Sequence, residues 1–201
     1  MDVPAWAAEA LIRAGARCDR HGWVPATAGN FSVRLDRAHC AITQSGRHKG
    51  FLEPTDVMVI GLDGTPAGPG RPSSDTPLHL ALYRRTEAVG AIVHGHSVAA
   101  TVLTRGAGTA LRFSGYELLK VLGGVADPSS TLALPIFDEG QDVPRLAARI
   151  DQALDPATTP AYLLRGHGAY VWAPTIEQAL ARLEALEFIL ACELELARHG
   201  R

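Results

Sequence analysis

The stretch "AIVHGHSVAA", residues 91–100, places two histidines one residue apart at the end of an apolar run and raises the first question about function. Its apolar start predicts a buried strand, and Ser97 is a typical N-cap for the helix expected to follow. Side chains alternate between the two faces of a strand, so His94 and His96 would share one face. Two imidazoles on one face can bind one metal ion, or they can be ordinary histidines. The rest of the chain has to separate these two interpretations.

The composition indicates one globular domain spanning residues 1–201. Hydrophobic residues make up 47% of the chain and charged residues 20%, which is enough apolar material for a core. The formal net charge of −2 offers no basic surface for nucleic acid, and no apolar run reaches the ~20 residues of a membrane span. The N-terminus lacks a signal-type apolar block. The three cysteines are widely spaced, and we expect each to be a small buried residue with a reduced thiol. Reduced thiols are typical of the cytoplasm, so we predict a cytoplasmic protein.

Strands and helices are predicted to mix along the chain without strict alternation. This pattern favours a three-layer α/β/α domain with a central mixed, mostly antiparallel sheet. Residues 161–173, "AYLLRGHGAYVWA", predict a strand pair or a bulged strand, and residues 175–200 predict a long helix. A doubly wound nucleotide-binding fold is disfavoured because the sequence has neither a GxGxxG motif after the first strand nor a Walker loop.

A third histidine has a setting similar to that of the first two. His167 lies between two glycines at the end of an apolar strand, where glycine permits close backbone approach. Three neutral imidazoles leave an open position for water or substrate, which is typical of catalytic zinc. Structural zinc prefers cysteines, and the chain has no CxxC pair. The other five histidines lack this setting, and we expect His79 on a helix face and His48 in a polar loop.

Three polar loops carry residues that could contact an anionic ligand. They are Gly29-Asn30 before a strand, Ser45-Gly46 after a strand and Ser73-Ser74 at a predicted helix start. Each pair alone is an ordinary turn, but together they supply backbone N–H groups, hydroxyls and a helix N-terminus, which are the parts of a phosphate site. Residues 47–49, Arg-His-Lys, either add positive charge to that site or form a solvated basic turn.

At these motifs the sequence resembles a known family. The segments "GNFSVR", "SSDTPLHLALYRR", "AIVHGHS" and "RGHGAYVW" occur in the order and spacing of the class II aldolase and adducin-like family, over residues 5–198. The segments "QSGRHKGFLEPTDVMVI" and "GYELLKVLGG" resemble the branch of this family whose members dehydrate a sugar phosphate.

The resemblance implies both a site and a reaction. It implies one Zn²⁺ per subunit bound by His94, His96 and His167, and an acid/base role for Glu117. The implied reaction is the dehydration of 5-methylthioribulose 1-phosphate to 2,3-diketo-5-methylthiopentyl 1-phosphate in methionine salvage, and the family implies a homotetramer. The residues that match its phosphate-binding positions are Gly29, Asn30, Ser45, Gly46, Ser73 and Ser74.

Alternative interpretations apply to two carboxylates and to the whole chain. Aldolases of the family have a glutamate after the paired serines, where this chain has Asp75; the shorter side chain disfavours aldol cleavage, and we interpret Asp75 as a helix N-cap. Glu117, without the resemblance, would be an exposed helix residue. The alternative functions are a sugar-phosphate aldolase or pentulose-phosphate 4-epimerase of the same family and, from another class, a non-catalytic adducin-like interaction domain.

Overall fold

The computed structural model describes residues 1–124, 127, 129–140, 142–155 and 158–200. In this described part of the chain, eight strands form one sheet, and they are, in chain order, β1 (Asn30–Arg34), β2 (His39–Thr43), β3 (Val57–Gly61), β4 (Ala91–Gly95), β5 (Ala110–Phe113), β6 (Leu132–Phe137), β7 (Ala161–Leu164) and β8 (Gly168–Ala173). Their spatial order is β3-β2-β1-β4-β8-β7-β6-β5. Neighbouring strands are antiparallel except β6 and β7, which are parallel. The predicted mixed, mostly antiparallel sheet is therefore confirmed.

Helices cover both faces of this sheet. They are α1 (Ala5–Arg20), α2 (Thr76–Arg85), α3 (Val98–Gly106), α4 (Leu119–Leu122), α5 (Val143–Ala153) and α6 (Ile176–Arg198). Alternation along the central strands divides the core in two: Val93 and Val171 pack with α1, α3, α4 and α6, whereas Ile92 and Trp172 pack with α2 and α5. This arrangement confirms the three-layer α/β/α prediction.

The register of the three central strands aligns the residues that matter for the site. Asn30 on β1 pairs with His94 on β4, and His94 pairs with Tyr170 on β8. Because paired residues of adjacent strands point to the same face, these three side chains form a row across the sheet. Tyr170 belongs to the core on the α2 side, so the row faces α2.

The predicted strand pair around His167 is an antiparallel hairpin of β7 and β8. Gly166 adopts φ +66° in its turn, a conformation that favours glycine. A Cβ on Gly168 would lie 2.0 Å from the carbonyl oxygen of Gly95, so only glycine lets β8 approach the end of β4 so closely. The hairpin thus brings His167 next to the end of the strand that carries His94.

The cysteines differ in burial. Cys18 and Cys40 are buried, as expected, whereas Cys192 on α6 is half-buried, so the expectation that all three are buried was wrong for Cys192. All three are free thiols. Among the described residues, no helix has the length and apolar character required to cross a membrane.

Candidate functional site

Three imidazoles converge at the end of β4. The Nε2 atom of His167 lies 3.3 Å from Nε2 of His94 and 3.2 Å from Nε2 of His96. Zn–N bonds of ~2.0–2.1 Å in tetrahedral geometry place two ligand nitrogens about 3.3 Å apart. The ligand atoms of all three residues lie within 4.8 Å of one another, so the site has the dimensions for one divalent metal ion.

The outer nitrogen of the His94 ring explains why its Nε2 atom faces the other two rings. Nδ1 of His94 lies 2.9 Å from the carbonyl oxygen of Ala169, which only accepts, so Nδ1 carries the hydrogen and Nε2 keeps its lone pair. A carbonyl partner of this kind typically orients a metal-binding histidine. Nδ1 of His167 lies 2.9 Å from Oε1 of Glu139 but makes no hydrogen bond within the described residues. Tyr170 adds a stacking contact on the His94 ring, with centroids 3.9 Å apart.

Burial keeps the imidazoles of His94 and His96 neutral and able to bind a cation. Desolvation, together with the neighbouring histidines, lowers the pKa of His94 well below its usual range. The same two causes lower the pKa of His96 to about 4. A neutral imidazole presents a lone pair at neutral pH, so His94 and His96 can bind a divalent cation without first losing a proton.

Asp75 contradicts its interpretation as a helix cap. It occupies the N-cap position of α2, but its side chain accepts no hydrogen bond from the helix backbone. Instead, Oδ2 accepts from Nδ2 of Asn30 at 2.9 Å and lies 3.8 Å from Nε2 of His94. The carboxylate therefore belongs to the histidine site, because the first turn of α2 packs beside the sheet row that includes Asn30 and His94.

The predicted phosphate-binding residues come from three loops, and hydrogen bonds connect these loops. Nδ2 of Asn30 donates to Oγ of Ser73 at 3.2 Å, and the backbone N–H of Ser45 donates to the carbonyl of Arg71. Ser73 is half-buried, whereas Ser74 and Gly46 are exposed. The arrangement brings Asn30 and Ser73 directly together, with Ser45 held against the segment that leads to Ser73.

Gly29 has a steric reason to be glycine. It adopts φ +77°, and a Cβ there would lie 2.7 Å from the carbonyl oxygen of His94. The loop that carries Asn30 therefore touches the strand that carries His94, and a larger residue would separate the two.

Lys49 is buried, so the interpretation of residues 47–49 as a solvated basic turn is wrong for this residue. Its Nζ donates to the carbonyl oxygens of Thr27 at 2.9 Å and Arg47 at 2.5 Å. Burial lowers the pKa of Lys49 to about 8. Lys49 ties the loop before Asn30 to the loop after Ser45, so it holds two of the candidate phosphate loops together.

Sequence reasoning assigned no role to His79, which the structure buries completely on α2. Its Nε2 contacts Oδ1 of Asn30, and its Nδ1 lies 2.7 Å from Oγ of Ser32. The sequence does contain a pattern that could have identified His79. It follows Asp75 by four residues, so both lie on one face of α2. Two polar residues at that spacing on an otherwise apolar helix face indicate a polar partner on the sheet.

Glu117 lies away from these contacts. Its side chain is 76% exposed and accepts from Nζ of Lys120 at 2.7 Å. In the described part of the chain, its hydrogen bonds and ion pairs reach none of the three histidines. The neighbouring Tyr116 donates its hydroxyl to Glu193 on α6. The acid/base role of Glu117 therefore stays a prediction.

A cavity of about 520 Å³ opens beside the histidines. It is lined by Pro25, His96, Val98, Thr101, Val102, Glu139, Gly166 and His167. Two of these residues, Val98 and Val102, are exposed apolar side chains on α3. The space next to the candidate metal ligands is therefore partly apolar.

Similar proteins are known over almost the whole length of the chain. The Class II Aldolase and Adducin N-terminal domain family model matches residues 9–194. A curated relative from Granulibacter bethesdensis, named methylthioribulose-1-phosphate dehydratase, is 52% identical over 97% of this chain and 94% of its own length. A relative of the same name from Acidiphilium cryptum is 49% identical over 98% of this chain and 94% of its own length.

A solved structure of an aldolase has a fold similar to that of this chain. The crystal structure of l-fuculose-1-phosphate aldolase from Thermus thermophilus has a TM-score of 0.79 and 28% sequence identity, and the match covers 96% of each chain. Sequence and fold therefore agree: this chain belongs to the class II aldolase and adducin family.

Proposed function

We propose that this chain, as a single domain over residues 1–201, is a zinc-dependent hydro-lyase. It dehydrates 5-methylthioribulose 1-phosphate to 2,3-diketo-5-methylthiopentyl 1-phosphate in methionine salvage, in the cytoplasm. The observation that carries the proposal is the convergence of three imidazoles beside Asn30 and Ser73, in a chain 52% identical to a relative named for this activity.

The reaction begins with a proton on a carbon next to a ketone. Loss of the C3 proton beside the C2 ketone gives an enediolate, which expels the C4 hydroxyl as water, and the resulting enol tautomerises to the 2,3-diketone. Bound Zn²⁺ supplies Lewis-acid stabilisation of the negative charge that develops on the substrate oxygens. His94, His96 and His167 would hold that ion, and their Nε2 atoms already face one another.

The chain supplies binding energy and proton transfer around that centre. Gly29, Asn30, Ser45, Gly46, Ser73 and Ser74 hold the substrate phosphate, which orients the reacting carbons. Glu117 moves a proton between carbon and the departing hydroxyl, a contribution of typically 10²–10⁴-fold. Asp75 provides a second carboxylate, 3.8 Å from Nε2 of His94.

The exposure of Glu117 has a direct explanation in a homotetramer. The chain neighbours of Glu117, Tyr116 and Leu118, line an apolar surface on α4 and α6 that also exposes Val121, Phe188 and Leu196. Exposed apolar patches of this kind are typical of protein–protein interfaces. We propose that this surface packs against another copy of the chain, and that Glu117 of one copy completes the histidine site of its neighbour.

The cavity beside the histidines accepts the other end of the substrate. The methylthio group is apolar, and Val98 and Val102 present apolar surface in a space that His96 and His167 also line. With the phosphate held near Asn30 and Ser73, the substrate would span the metal centre from one side to the other.

The proposal is tested by incubating the zinc-loaded protein with 5-methylthioribulose 1-phosphate and identifying the product by mass spectrometry. We expect a product lighter than the substrate by one water. Cleavage into two carbon fragments would indicate an aldolase, and an isomer of unchanged mass would indicate an epimerase. The unphosphorylated sugar is the control, and its equal turnover would contradict the phosphate-binding assignment.

A further inference from the structure

A line of buried hydrogen bonds leads from Asp75 into the layer between the sheet and α2. Asn30 donates from Nδ2 to Asp75, and its Oδ1 contacts Nε2 of His79. Nδ1 of His79 lies 2.7 Å from Oγ of Ser32, which lies 2.8 Å from the hydroxyl of Tyr83. Asn30, Ser32, His79 and Tyr83 are each at most 3% exposed, so water does not compete for these bonds.

The chemistry of the groups gives every bond in this line one direction. The Asp75 carboxylate only accepts, so the N–H₂ group of Asn30 faces it and the amide oxygen faces His79. Nε2 of His79 must then carry the hydrogen. Complete burial lowers the pKa of His79 to about 4, so the ring is neutral and Nδ1 accepts from Ser32. The hydroxyl of Tyr83 in turn donates to Ser32.

We infer that His79 is a positioning residue that fixes the orientation of the Asn30 side-chain amide, so that Asn30 donates its hydrogen bonds toward Asp75 and Ser73. This inference rests on the proposed function in one respect, since it treats Asn30, and Ser73 which accepts from it, as part of the phosphate-binding site. Hydrogen bonds that run in one direction polarise one another, so the donor at Nε2 strengthens the donation by Asn30.

The cost of losing this orientation follows from the same chemistry. If the amide rotated by 180°, its oxygen would face the Asp75 carboxylate, which only accepts, and Oγ of Ser73 would lose the N–H donor that leaves its own hydroxyl hydrogen free for the phosphate. With His79 in place, rotation would also set the amide N–H₂ against the N–H at Nε2. Without that donor, the amide oxygen is buried with no partner, and the native orientation loses its support.

Two substitutions of His79 distinguish its role in orienting Asn30 from its role in filling the core. In His79→Gln, the side-chain N–H₂ can occupy about the position of Nε2 and donate to Asn30. In His79→Asn, the shorter side chain reaches only about the position of Nδ1 and leaves Asn30 without a donor. Both variants are neutral and polar, so their difference reports the Nε2 donor rather than burial of a polar group.

We expect His79→Asn to raise the KM of the phosphorylated substrate about tenfold or more, with a smaller loss of kcat. The Kd of inorganic phosphate, measured by calorimetry on the zinc-loaded protein, should rise by a similar factor. His79→Gln should stay near the wild type in both, and both variants should retain bound metal. Equal KM and Kd values in the two variants would overturn the inference.

A second measurement uses the wild-type protein alone, so it depends neither on enzyme activity nor on the folding of a variant. In the wild type, ¹⁵N NMR of labelled histidines should show His79 as the neutral tautomer protonated at Nε2. Protonation at Nδ1 would overturn the inference. If the wild type released no product from 5-methylthioribulose 1-phosphate, the proposed function would fail, while the tautomer and the phosphate titration would still decide the role of His79.

Discussion

Oδ2 of Asp75 lies 3.8 Å from Nε2 of His94, on a residue that occupies a helix N-cap position without capping the helix. Other helices of the same chain are capped in the ordinary way: Asp142 accepts from the backbone N–H of Arg145, and Ser97 from that of Ala100. The difference is tertiary. The start of α2 lies against the row of the sheet that holds Asn30 and His94, and the Asp75 carboxylate bonds there instead.

Asp75→Asn should therefore lower kcat. Asparagine caps helices about as well as aspartate, so a cap would tolerate the change, whereas a carboxylate that acts in the site would not. We expect a loss of roughly 10²-fold with metal content and folding retained, from the usual size of acid–base contributions. Asp142→Asn, at a true cap, is the matched control and should behave as the wild type. If Asp75→Asn kept the kcat of the wild type, the carboxylate of Asp75 would have only a structural role.

Removal of a candidate metal ligand should remove the metal. His94→Ala and His167→Ala each leave two imidazoles, and we expect the bound zinc of the purified protein to fall to background by elemental analysis. His199→Ala, at an exposed position after α6, should retain the metal content of the wild type. A variant that keeps one ion per chain would show that the substituted histidine is not a ligand.

Subunit mixing tests whether Glu117 acts on a neighbouring copy. Glu117→Gln and His94→Ala should each lose about 10²-fold or more of kcat when pure. In a mixed oligomer, a site can combine three histidines from one copy with Glu117 from the other, so activity should return. The control mixes Glu117→Gln with the double variant His94→Ala/Glu117→Gln. No copy in that mixture has Glu117, so it should stay inactive. Mixtures that regain no activity would assign Glu117 to its own chain or to no site.

The apolar cavity predicts a difference between two substrates. Val102→Asn should raise the KM for the methylthio substrate by about tenfold or more, because apolar pocket contacts of this size contribute ~1–3 kcal/mol. Ribulose 1-phosphate has a hydroxyl in place of the methylthio group. Because it lacks the apolar tail, its KM should change little in Val102→Asn. Steady-state kinetics on both substrates measures the difference. Equal effects on the two would place the methylthio group elsewhere.

Glu187 predicts how stability depends on pH. Burial raises its pKa to about 7 from the ordinary 4.5, so between these values the folded state binds more protons than the unfolded one. The contribution of Glu187 to stability is therefore greatest below about pH 4.5 and falls as the pH rises through 7, by a total on the order of 3 kcal/mol. Glu187→Gln should flatten this dependence in urea unfolding at pH 5 and pH 8. Glu177→Gln, an exposed change on the same helix, should not alter it.

Much of the site could be predicted from the sequence because the signals are local. His94 and His96 sit two positions apart at the end of an apolar strand, and the glycines beside His167 indicate a close approach, which Gly168 makes against Gly95. Alternation along strands and the spacing of apolar residues on helices likewise predicted the layers. Each of these inferences needs only a stretch of a few residues.

The residues that sequence reasoning missed depend on contacts between distant segments. The sequence neighbours of Asp75 are those of a cap, and those of His79 are those of an ordinary helix residue. Lys49 lies in a basic run typical of a solvated turn, but its Nζ bonds to the carbonyl of Thr27, 22 residues away. A local pattern cannot tell which sheet strand a helix will face, so it cannot tell whether a polar side chain will find a partner there.

Local sequence patterns predict the strands, the helices, the three candidate metal ligands and the loops that carry the phosphate-binding candidates. How those loops meet, and that Asp75 points to His94 while Glu117 faces outward, is seen in the folded chain alone. The two groups of features differ in the sequence distance over which their causes act. Backbone propensity and side-chain periodicity act within a few residues, whereas hydrogen bonds such as that of Asn30 to Asp75 join positions 45 residues apart and exist only once the sheet has its register.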